Sequence, residues 1–452
     1  MPRPPRAVFV TLLATALCVS LAGGADAVPG SVRSEQQAPA VLAPAKAEGV
    51  APTAAGVQKA LAAILKDPAL GKHRGVYVYD ASRGKVVYSA GTATPYIPAS
   101  TMKLLTTVSA LETLGPDHRF TTKVVSGAAG SLVLVGGGDP LLAVKASVKP
   151  DFPTRATLQS LAASTAKALK AQGTAGVRLG YDASLFTGPA ANVNWEPNYV
   201  TEGIAARTSA LWVNEGRLSP GMAKRADAPA QAAAAEFVKL LRGYGIKVAP
   251  AVKAAVAPDA AKAIAQVQSP TVGQIVEYVN LHSDNDGAEV LLRQVGLATK
   301  NGGSYADGVK GVRATLTKLG LDVSKARIYD GSGLSRSNHV PLDLLAGAVR
   351  TAASDEHPEL RHLLTGLPVA GFTGSLEQRF STAGTGPGTG LVRAKTGTLT
   401  GVHSLAGLAR DRTGTLLVFA VATDSVPVPK TLDARAALDR AAAALANCGC
   451  AV

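Results

Sequence analysis

The sequence predicts an α+β fold in which strands from the two ends of the chain share one sheet that carries helices on both faces. Near the N-terminus, two runs of alternating Val and Tyr, "GVYVYD" and "KVVYSAG", flank the turn "ASRG" and predict a hairpin over residues 75–91. In the last part of the chain, three strand-like runs between residues 389 and 424 are separated by turns that contain glycine. A helical pattern over residues 430–446 follows these strands.

Two further helices are predicted before the middle of the chain. The segment "TAAGVQKALAAILKD" (53–67) has apolar residues at helical spacing. A second helix is predicted from Met102 to Leu114, and it stops at Gly115 because glycine is a common signal for a helix end.

The long middle of the chain has a different sequence pattern from the two ends. It contains the short strand patterns "FTTKVVSG" and "SLVLVGGGD", the amphipathic helix pattern "LQSLAASTAKALKAQG" and proline-rich connections. We interpret residues 119–275 as one or two inserted domains.

Length and charge limit the possible functions. The chain has 452 residues, which is enough for a substantial core and more than one domain. Its 46 Lys and Arg residues against 32 Asp and Glu residues give a net charge of +14. A basic surface of this kind suits nucleic acid, anionic lipid or an anionic polymer as a partner.

The first residues favour one of these partners. Arg3 and Arg6 precede an apolar stretch over residues 7–22, and the small residues of "ADA" then offer a cleavage site. We interpret residues 1–27 as a secretory signal peptide and the Ala-, Pro- and Gly-rich residues 28–52 as a flexible linker. A membrane anchor is disfavoured because the apolar run is short and interrupted by polar residues. Export makes nucleic acid an unsuitable partner and favours cell-envelope polymers, with no transmembrane anchor after signal cleavage.

Cysteine and histidine usage gives no sign of a metal site. Cys18 would leave with the signal peptide, and a bridge between Cys448 and Cys450 would close a loop too small to restrain the chain much. The seven histidines are scattered and form no cluster with cysteine. The sequence therefore predicts neither a metal nor a cofactor.

Three short motifs point to chemistry when they are taken in order. Ser-x-x-Lys occurs three times, at Ser82, Ser100 and Ser164, and alone it is weak evidence. Ser100-x-x-Lys103 differs from the other two because "SDN" (283–285) and "KTGT" (395–398) follow it. This trio is the signature of β-lactamases and penicillin-binding proteins.

The chemistry of a serine nucleophile explains why these residue types occur together. Spacing of three on a helix places the Ser100 hydroxyl beside the Lys103 amine, and a serine needs such a base to become a nucleophile. A lysine serves as a base when burial and nearby positive charge lower its pKa. Lys395 can supply that charge and bind a substrate carboxylate.

The second and third motifs supply the remaining groups. Ser283 can relay a proton to the leaving amine, while Asn285 holds the substrate amide and the Lys103 side chain. The backbone N–H groups of Ser100 and Thr398 can bind the oxyanion. We expect Gly397 to leave space for the substrate backbone to approach its strand.

At this point the chain resembles the serine-type D-alanyl-D-alanine carboxypeptidases/endopeptidases, the class C low-molecular-mass penicillin-binding proteins. The resemblance covers nearly the whole mature chain and extends to further segments, which are "GGGDP" (136–140), "YDASLF" (181–186), "DGSGLSRSN" (330–338) and "LPVAGFTGSLEQRF" (367–380). It implies a β-lactamase/DD-peptidase-like transpeptidase domain, with a five-stranded antiparallel sheet, helices on both faces and a helical subdomain. It also implies that residues 53–118 and 276–452 form this penicillin-binding domain and that residues 119–275 are inserted into it.

The resemblance also implies roles for individual residues. Ser100 would be acylated, with Lys103 as its base, Ser283 and Asn285 as the second motif, and Lys395. Arg336 matches a position that helps to recognise the side-chain end of the substrate peptide, and Trp195 with Glu196 would lie near the amine of a diamino acid. The remaining implied substrate-binding residues are those of the strand that aligns the acyl donor: Thr396, Gly397 and Thr398.

The predicted function is therefore an exported serine DD-peptidase. It would remove the terminal D-Ala from peptidoglycan stem peptides, with possible cleavage of cross-links, and β-lactam antibiotics would inhibit it by acylating Ser100. Two alternatives stay open from the sequence. One is a β-lactamase-like hydrolase, which the long insertion disfavours, and the other is a non-catalytic wall-binding protein, which the three intact motifs disfavour.

Overall fold

The computed structural model describes residues 51–127, 130–149, 151–219 and 221–450. The predicted signal peptide and nearly all of the predicted linker lie outside these described residues. None of the described helices combines the length and the apolar character that a membrane span requires.

The first sheet joins the two ends of the chain, as the sequence predicts. It has five strands in the order β2-β1-β11-β10-β9, and each neighbouring pair is antiparallel. The N-terminal hairpin supplies its two strands at one edge, and the C-terminal run supplies the other three. The strands are β1 (Arg74–Asp80), β2 (Lys85–Ala90), β9 (Val392–Leu399), β10 (Val402–Arg410) and β11 (Leu416–Thr423).

The two central strands of this sheet are apolar on both faces because helices cover both faces. In β11, Val418 and Ala420 pack into the core on the side of the helical subdomain. Their neighbours Leu417 and Phe419 point to the other side and pack with α1 (Ala54–Leu65) and α10 (Thr431–Ala446). The predicted α+β class is thus confirmed.

The helical subdomain surrounds α2 (Lys103–Leu114), which ends at Gly115 with a positive φ of 81°. Nine consecutive residues of α2, from Lys103 to Leu111, are buried, so this helix is central to the subdomain. The other helices in this part are α5 (Val272–His282), α6 (Asn285–Ala298), α7 (Tyr305–Lys318), α8 (Leu342–Ala353) and the short α9 (His362–Thr365).

The middle of the chain builds a second sheet with the strand order β6-β5-β4-β3-β8, and β7 also pairs with β5. The pairs β4–β5 and β5–β6 are parallel, and two helices connect these strands. The elements are β3 (Thr121–Ser126), β4 (Ser131–Val135), α3 (Leu158–Ala171), β5 (Gly176–Asp182), α4 (Pro229–Gly243), β6 (Lys247–Val248), β7 (Lys253–Ala254) and β8 (Ala263–Gln268).

The extent of the inserted unit stays a prediction. None of the described strands in the middle of the chain pairs with the first sheet. However, the predicted boundary after residue 275 falls inside α5, which packs into the core of the helical subdomain. Trp195 and Ala205 also belong to that core, so the middle of the chain contributes residues to the packing around the site described next.

Candidate active site

Ser100 lies in a 3₁₀ turn, Ala99–Met102, that leads directly into α2. This local geometry places the Lys103 side chain beside it, and Lys103 Nζ donates a hydrogen bond of 3.0 Å to Ser100 Oγ. Ala99, the residue before the serine, has a φ of 46°. Left-handed backbone at a non-glycine residue is strained and is often found at functional sites.

The second motif is a corner between two helices. Ser283 ends α5 in the left-handed conformation (φ 55°, ψ 37°). The Asp284 carboxylate caps α6 by accepting hydrogen bonds from the N–H groups of Asp286 (3.0 Å) and Gly287 (3.1 Å). Asp284 thus fixes the corner, and Asn285 occupies the first position of α6.

The corner brings Asn285 to the first motif. Asn285 Oδ1 accepts a hydrogen bond of 2.8 Å from Lys103 Nζ, and Asn285 Nδ2 donates to the Ile204 carbonyl at 3.1 Å. A neighbouring contact ties Ser283 to the third motif, since Lys395 Nζ donates to Ser283 Oγ at 2.8 Å and to the Thr396 carbonyl at 3.0 Å. The five side chains predicted to carry the chemistry therefore lie together.

The strand β9 leaves part of its edge open beside these side chains. Segment 368–370 covers the edge earlier along β9, where the Ala394 N–H donates to the Pro368 carbonyl. Backbone groups of alternate residues point to the same edge, so the N–H groups of Thr396 and Thr398 also face outward. The exposed Thr398 can therefore offer a backbone donor, and an extended peptide can pair with this edge.

Gly397 lies where the surrounding protein leaves no room for a side chain. A side chain at this position would collide with the Ser404 hydroxyl and would lie 2.6 Å from the Pro98 carbonyl. Since Pro98 immediately precedes the strained turn of Ser100, the glycine lets the segment that carries Ser100 approach β9 and β10. The expectation that Gly397 leaves space for the substrate backbone stays a prediction.

Burial controls the charge of both lysines. It lowers the pKa of Lys103 to about 8, against the opposing effect of the carboxylates of Asp284 and Glu289. The pKa of Lys395 is also lowered, first by burial and then by the charge of Lys103. From the sequence, we expected nearby positive charge to contribute to the lowered pKa of Lys103. In the structure, desolvation is the main cause of that lowered pKa.

Sequence reasoning missed a third partner of Lys103. Lys103 Nζ donates to the Ser332 carbonyl at 2.8 Å. The buried Glu289 holds that loop because its carboxylate accepts from the N–H groups of Gly331 (3.0 Å) and Ser332 (2.8 Å). Burial and the nearby Asp330 raise the pKa of Glu289 to about 8. The sequence does contain a signal for this buried residue, because Glu289 follows Asn285 by one helical turn and lies within the apolar run "AEVLL".

The three residues predicted to bind the substrate side chain differ in their exposure and in their contacts. Trp195 is buried, and its indole N–H donates to Asp330 at 3.0 Å, so it holds the loop that contains Ser332 instead of lining a surface. Arg336 is half-buried and donates to the Thr400 carbonyl at 3.0 Å, just beyond the end of β9. Glu196 is exposed, and both it and Arg336 influence the pKa of Tyr199, which burial raises.

Among the described residues, one acidic cluster next to the site has the spacing of metal ligands: Glu215, Asp284 and Asp286. Asp284 is already the cap of α6. Asp286 forms a buried ion pair with Arg225 at 2.6 Å and accepts from the Ala206 N–H at 2.7 Å. These carboxylates therefore have structural partners, and we assign no metal to them.

Comparison with known proteins identifies similar chains. The model of the D-Ala-D-Ala carboxypeptidase 3 (S13) family matches residues 57–227 and 221–445. Carboxypeptidase Rv3627c of Mycobacterium tuberculosis is 36% identical over 407 residues, which cover 88% of this chain and 85% of the relative. Carboxypeptidase DacB of Mycolicibacterium smegmatis is 33% identical over 434 residues, which cover 94% and 91%.

The fold also matches a solved structure. Penicillin-binding protein 4 of Haemophilus influenzae aligns with a TM-score of 0.69 at 20% identity, over 86% of this chain and 97% of that protein. The same protein in complex with a β-lactam aligns with a TM-score of 0.63. The predicted DD-peptidase-like fold is thus confirmed.

Proposed function

The chain belongs to the D-Ala-D-Ala carboxypeptidase (S13) family and is a serine-type carboxypeptidase, and we propose that it removes the terminal D-Ala of peptidoglycan stem peptides through an acyl-enzyme on Ser100. The observation that carries this proposal is the hydrogen bond of 3.0 Å between the Ser100 hydroxyl and the buried Lys103 amine. A neutral amine at this distance can take the hydroxyl proton.

Acylation uses the open edge of β9. The substrate peptide pairs with this edge, and its terminal D-Ala-D-Ala carbonyl lies in front of Ser100. Ser100 Oγ attacks the carbonyl carbon while Lys103 accepts its proton. The N–H groups of Ser100 and Thr398 bind the developing oxyanion.

Breakdown of the tetrahedral species releases D-Ala. The carbon–nitrogen bond breaks, and Ser283, which lies 2.8 Å from Lys395 Nζ, gives its proton to the leaving nitrogen. The proton that Lys103 took from Ser100 replaces the one that Ser283 gave, so Lys103 is neutral again. Lys395 also provides a cation for the terminal carboxylate of the substrate. Water then attacks the ester on Ser100 while the neutral Lys103 accepts a proton from it. Lys103 returns this proton to Ser100 Oγ as the shortened peptide leaves. This sequence needs no cofactor.

β-Lactams fit the same scheme as inhibitors. Their strained amide presents a carbonyl to Ser100, and the leaving nitrogen stays tethered after ring opening. The complex of the Haemophilus influenzae relative with a β-lactam supports this assignment by analogy of fold. We further propose that residues 1–27 direct export, so that the enzyme acts on peptidoglycan in the cell envelope.

The proposal is tested with three substrates: a diaminopimelate-containing pentapeptide that ends in D-Ala-D-Ala, a diacyl-lysyl-D-Ala-D-Ala analogue, and a cross-linked muropeptide dimer. Mass spectrometry follows the release of D-Ala and the conversion of the dimer to monomers. We expect D-Ala release from both single peptides. Cleavage of the dimer adds endopeptidase activity, and an intact dimer removes that part of the proposal. If D-Ala is released from neither of the two single peptides, the proposed carboxypeptidase activity is contradicted.

Arg336 is expected to determine part of the substrate preference. Among the described residues, only the Thr400 carbonyl accepts a hydrogen bond from Arg336, and a guanidinium suits a carboxylate such as that of a diaminopimelate side chain. A charge-assisted hydrogen bond contributes roughly 1.5–3 kcal/mol. Arg336→Ala should therefore lower kcat/KM for the diaminopimelate peptide by roughly 10- to 150-fold.

The lysyl analogue, which lacks the side-chain carboxylate, serves as the matched control for Arg336→Ala. Its turnover and β-lactam acylation should change little. Equal losses on the two peptides would show that Arg336 shapes the end of β9 and does not read the side chain. Glu196→Gln is the companion variant, because Glu196 is expected to bind the side-chain amine.

A further inference from the structure

A cavity in the middle of the chain is lined by none of the residues of the Ser100 site. Its volume is about 280 Å³, and it is formed where β5 ends and α4 begins. In sheets with parallel strands, ligands commonly bind outside the carboxyl ends of the strands. The lining includes Tyr181 near the end of β5, the first residues of α4, and two arginines, Arg207 and Arg293.

The first turn of α4 presents free donors to this cavity. The N-cap position holds Ala228, which has no side-chain oxygen, and Pro229 follows it without an N–H group. The N–H groups of Ala230 and Gln231 lie too early in the helix for an intrahelical acceptor, and no other described residue accepts from them. The helix has 15 residues, so its dipole adds positive potential at this end.

Arg293 provides an independent sign of a missing anion. Its side chain is only 1% exposed, yet no described carboxylate lies within ion-pair distance of it, and its Nε has no hydrogen-bond partner. Its other nitrogens donate to the carbonyls of Thr187 and Pro189. The guanidinium also lies 4.0 Å from the ring centroid of Tyr305. Buried charges are normally paired, so this arginine lacks the counterion that its burial calls for.

The mouth of the cavity carries a second cation. Arg207 lies there with its side chain 39% exposed and pairs at 3.1 Å with Asp227, which is almost fully exposed. An exposed pair of this kind is weak, so the guanidinium can turn toward a ligand at little cost. Two guanidinium groups and two helix N–H groups thus surround one space.

We propose that this cavity is a binding site for a phosphate group, either free or carried by a phosphate ester. Donors from several directions match the oxygens of a tetrahedral phosphate, and a helix N-terminus is a common phosphate site. The volume leaves room for a small group on the phosphate, such as glycerol. The phosphate would sit against α6, which also carries Asn285 two turns before Arg293.

Calorimetry with inorganic phosphate and with glycerol 3-phosphate, at constant ionic strength set with chloride, tests the proposal. The decisive variant is Ala228→Asp, which places a carboxylate of the protein on the free N–H groups. We expect binding to fall at least about tenfold while the thermal unfolding temperature rises or stays equal, because an aspartate N-cap stabilises a helix. Arg207→Gln should also weaken binding, whereas Lys239→Gln, an exposed change on the same helix, should not.

Further arms separate the sources of the phosphate. Phosphatidylglycerol vesicles test a lipid headgroup, and glycerol 3-phosphate should compete with them if the cavity takes the headgroup. Acetate tests a carboxylate ligand and should bind at least about tenfold more weakly than phosphate. The proposal is overturned if phosphate does not bind, if acetate binds equally well, or if Ala228→Asp leaves phosphate binding unchanged. If phosphate does not bind at all, Arg293 only holds the Thr187–Pro189 segment.

Discussion

Ser100→Ala should abolish both the covalent β-lactam adduct and the release of D-Ala. In the proposed mechanism the serine forms the acyl bond, and Lys103, Asn285 and the edge of β9 act through it. Loss of the serine nucleophile in another hydrolase lowers kcat by roughly 10⁶-fold. Mass spectrometry of the intact protein after treatment with penicillin measures the adduct, and D-Ala release from the pentapeptide measures turnover.

The other two Ser-x-x-Lys sequences provide matched controls for this experiment. Ser82 is exposed in the turn between β1 and β2, and Ser164 is exposed on α3. Ser82→Ala and Ser164→Ala should therefore acylate and turn over at the parent rate. An adduct that persisted in Ser100→Ala, or a peptide map that placed it on Ser82 or Ser164, would contradict the assignment of the nucleophile.

The sequence predicted the elements whose signals are local. The helix from Met102 to Leu114 has a regular apolar pattern and a glycine at its end, and the structure places α2 there. The hairpin and the three C-terminal strands were recognisable because alternating or continuous apolar runs are separated by turns. The order of the three motifs then indicated the family, which the comparisons confirm.

The parts that were not predicted depend on residues far apart in the chain. The reason for Gly397 is a contact with the Pro98 carbonyl, to which Ser404 donates across 306 positions. Glu289 holds Ser332 across 43 positions. No pattern within a short window reports such contacts, because they arise only when the strand pairing and the helix packing are both fixed. The same holds for Trp195, whose burial depends on the loop around Asp330.

The second large effect concerns the base and its dependence on pH. Burial lowers the pKa of Lys103 to about 8, so the fraction of neutral amine rises with pH, is one half at about pH 8 and approaches its maximum above that. If this amine takes the proton of Ser100, the acylation rate constant should rise about tenfold per pH unit well below pH 8 and level off above it. Acylation of the parent enzyme by a chromogenic β-lactam, followed by stopped flow between pH 5 and 10, gives this profile.

Lys103→Ala should lower the acylation rate constant by roughly 10²- to 10⁴-fold and remove the rise with pH, because the group that titrates is gone. Circular dichroism checks that the fold is kept, since the change leaves space in the core and unpairs Asn285 Oδ1. Lys85→Ala is the matched control, because Lys85 is an exposed lysine from another Ser-x-x-Lys sequence, and it should keep the parent profile. The buried Lys395 also has a lowered pKa, so the two lysines must be told apart. If Lys103→Ala acylated near the parent rate with the same rise, Lys395 or another group would be the base.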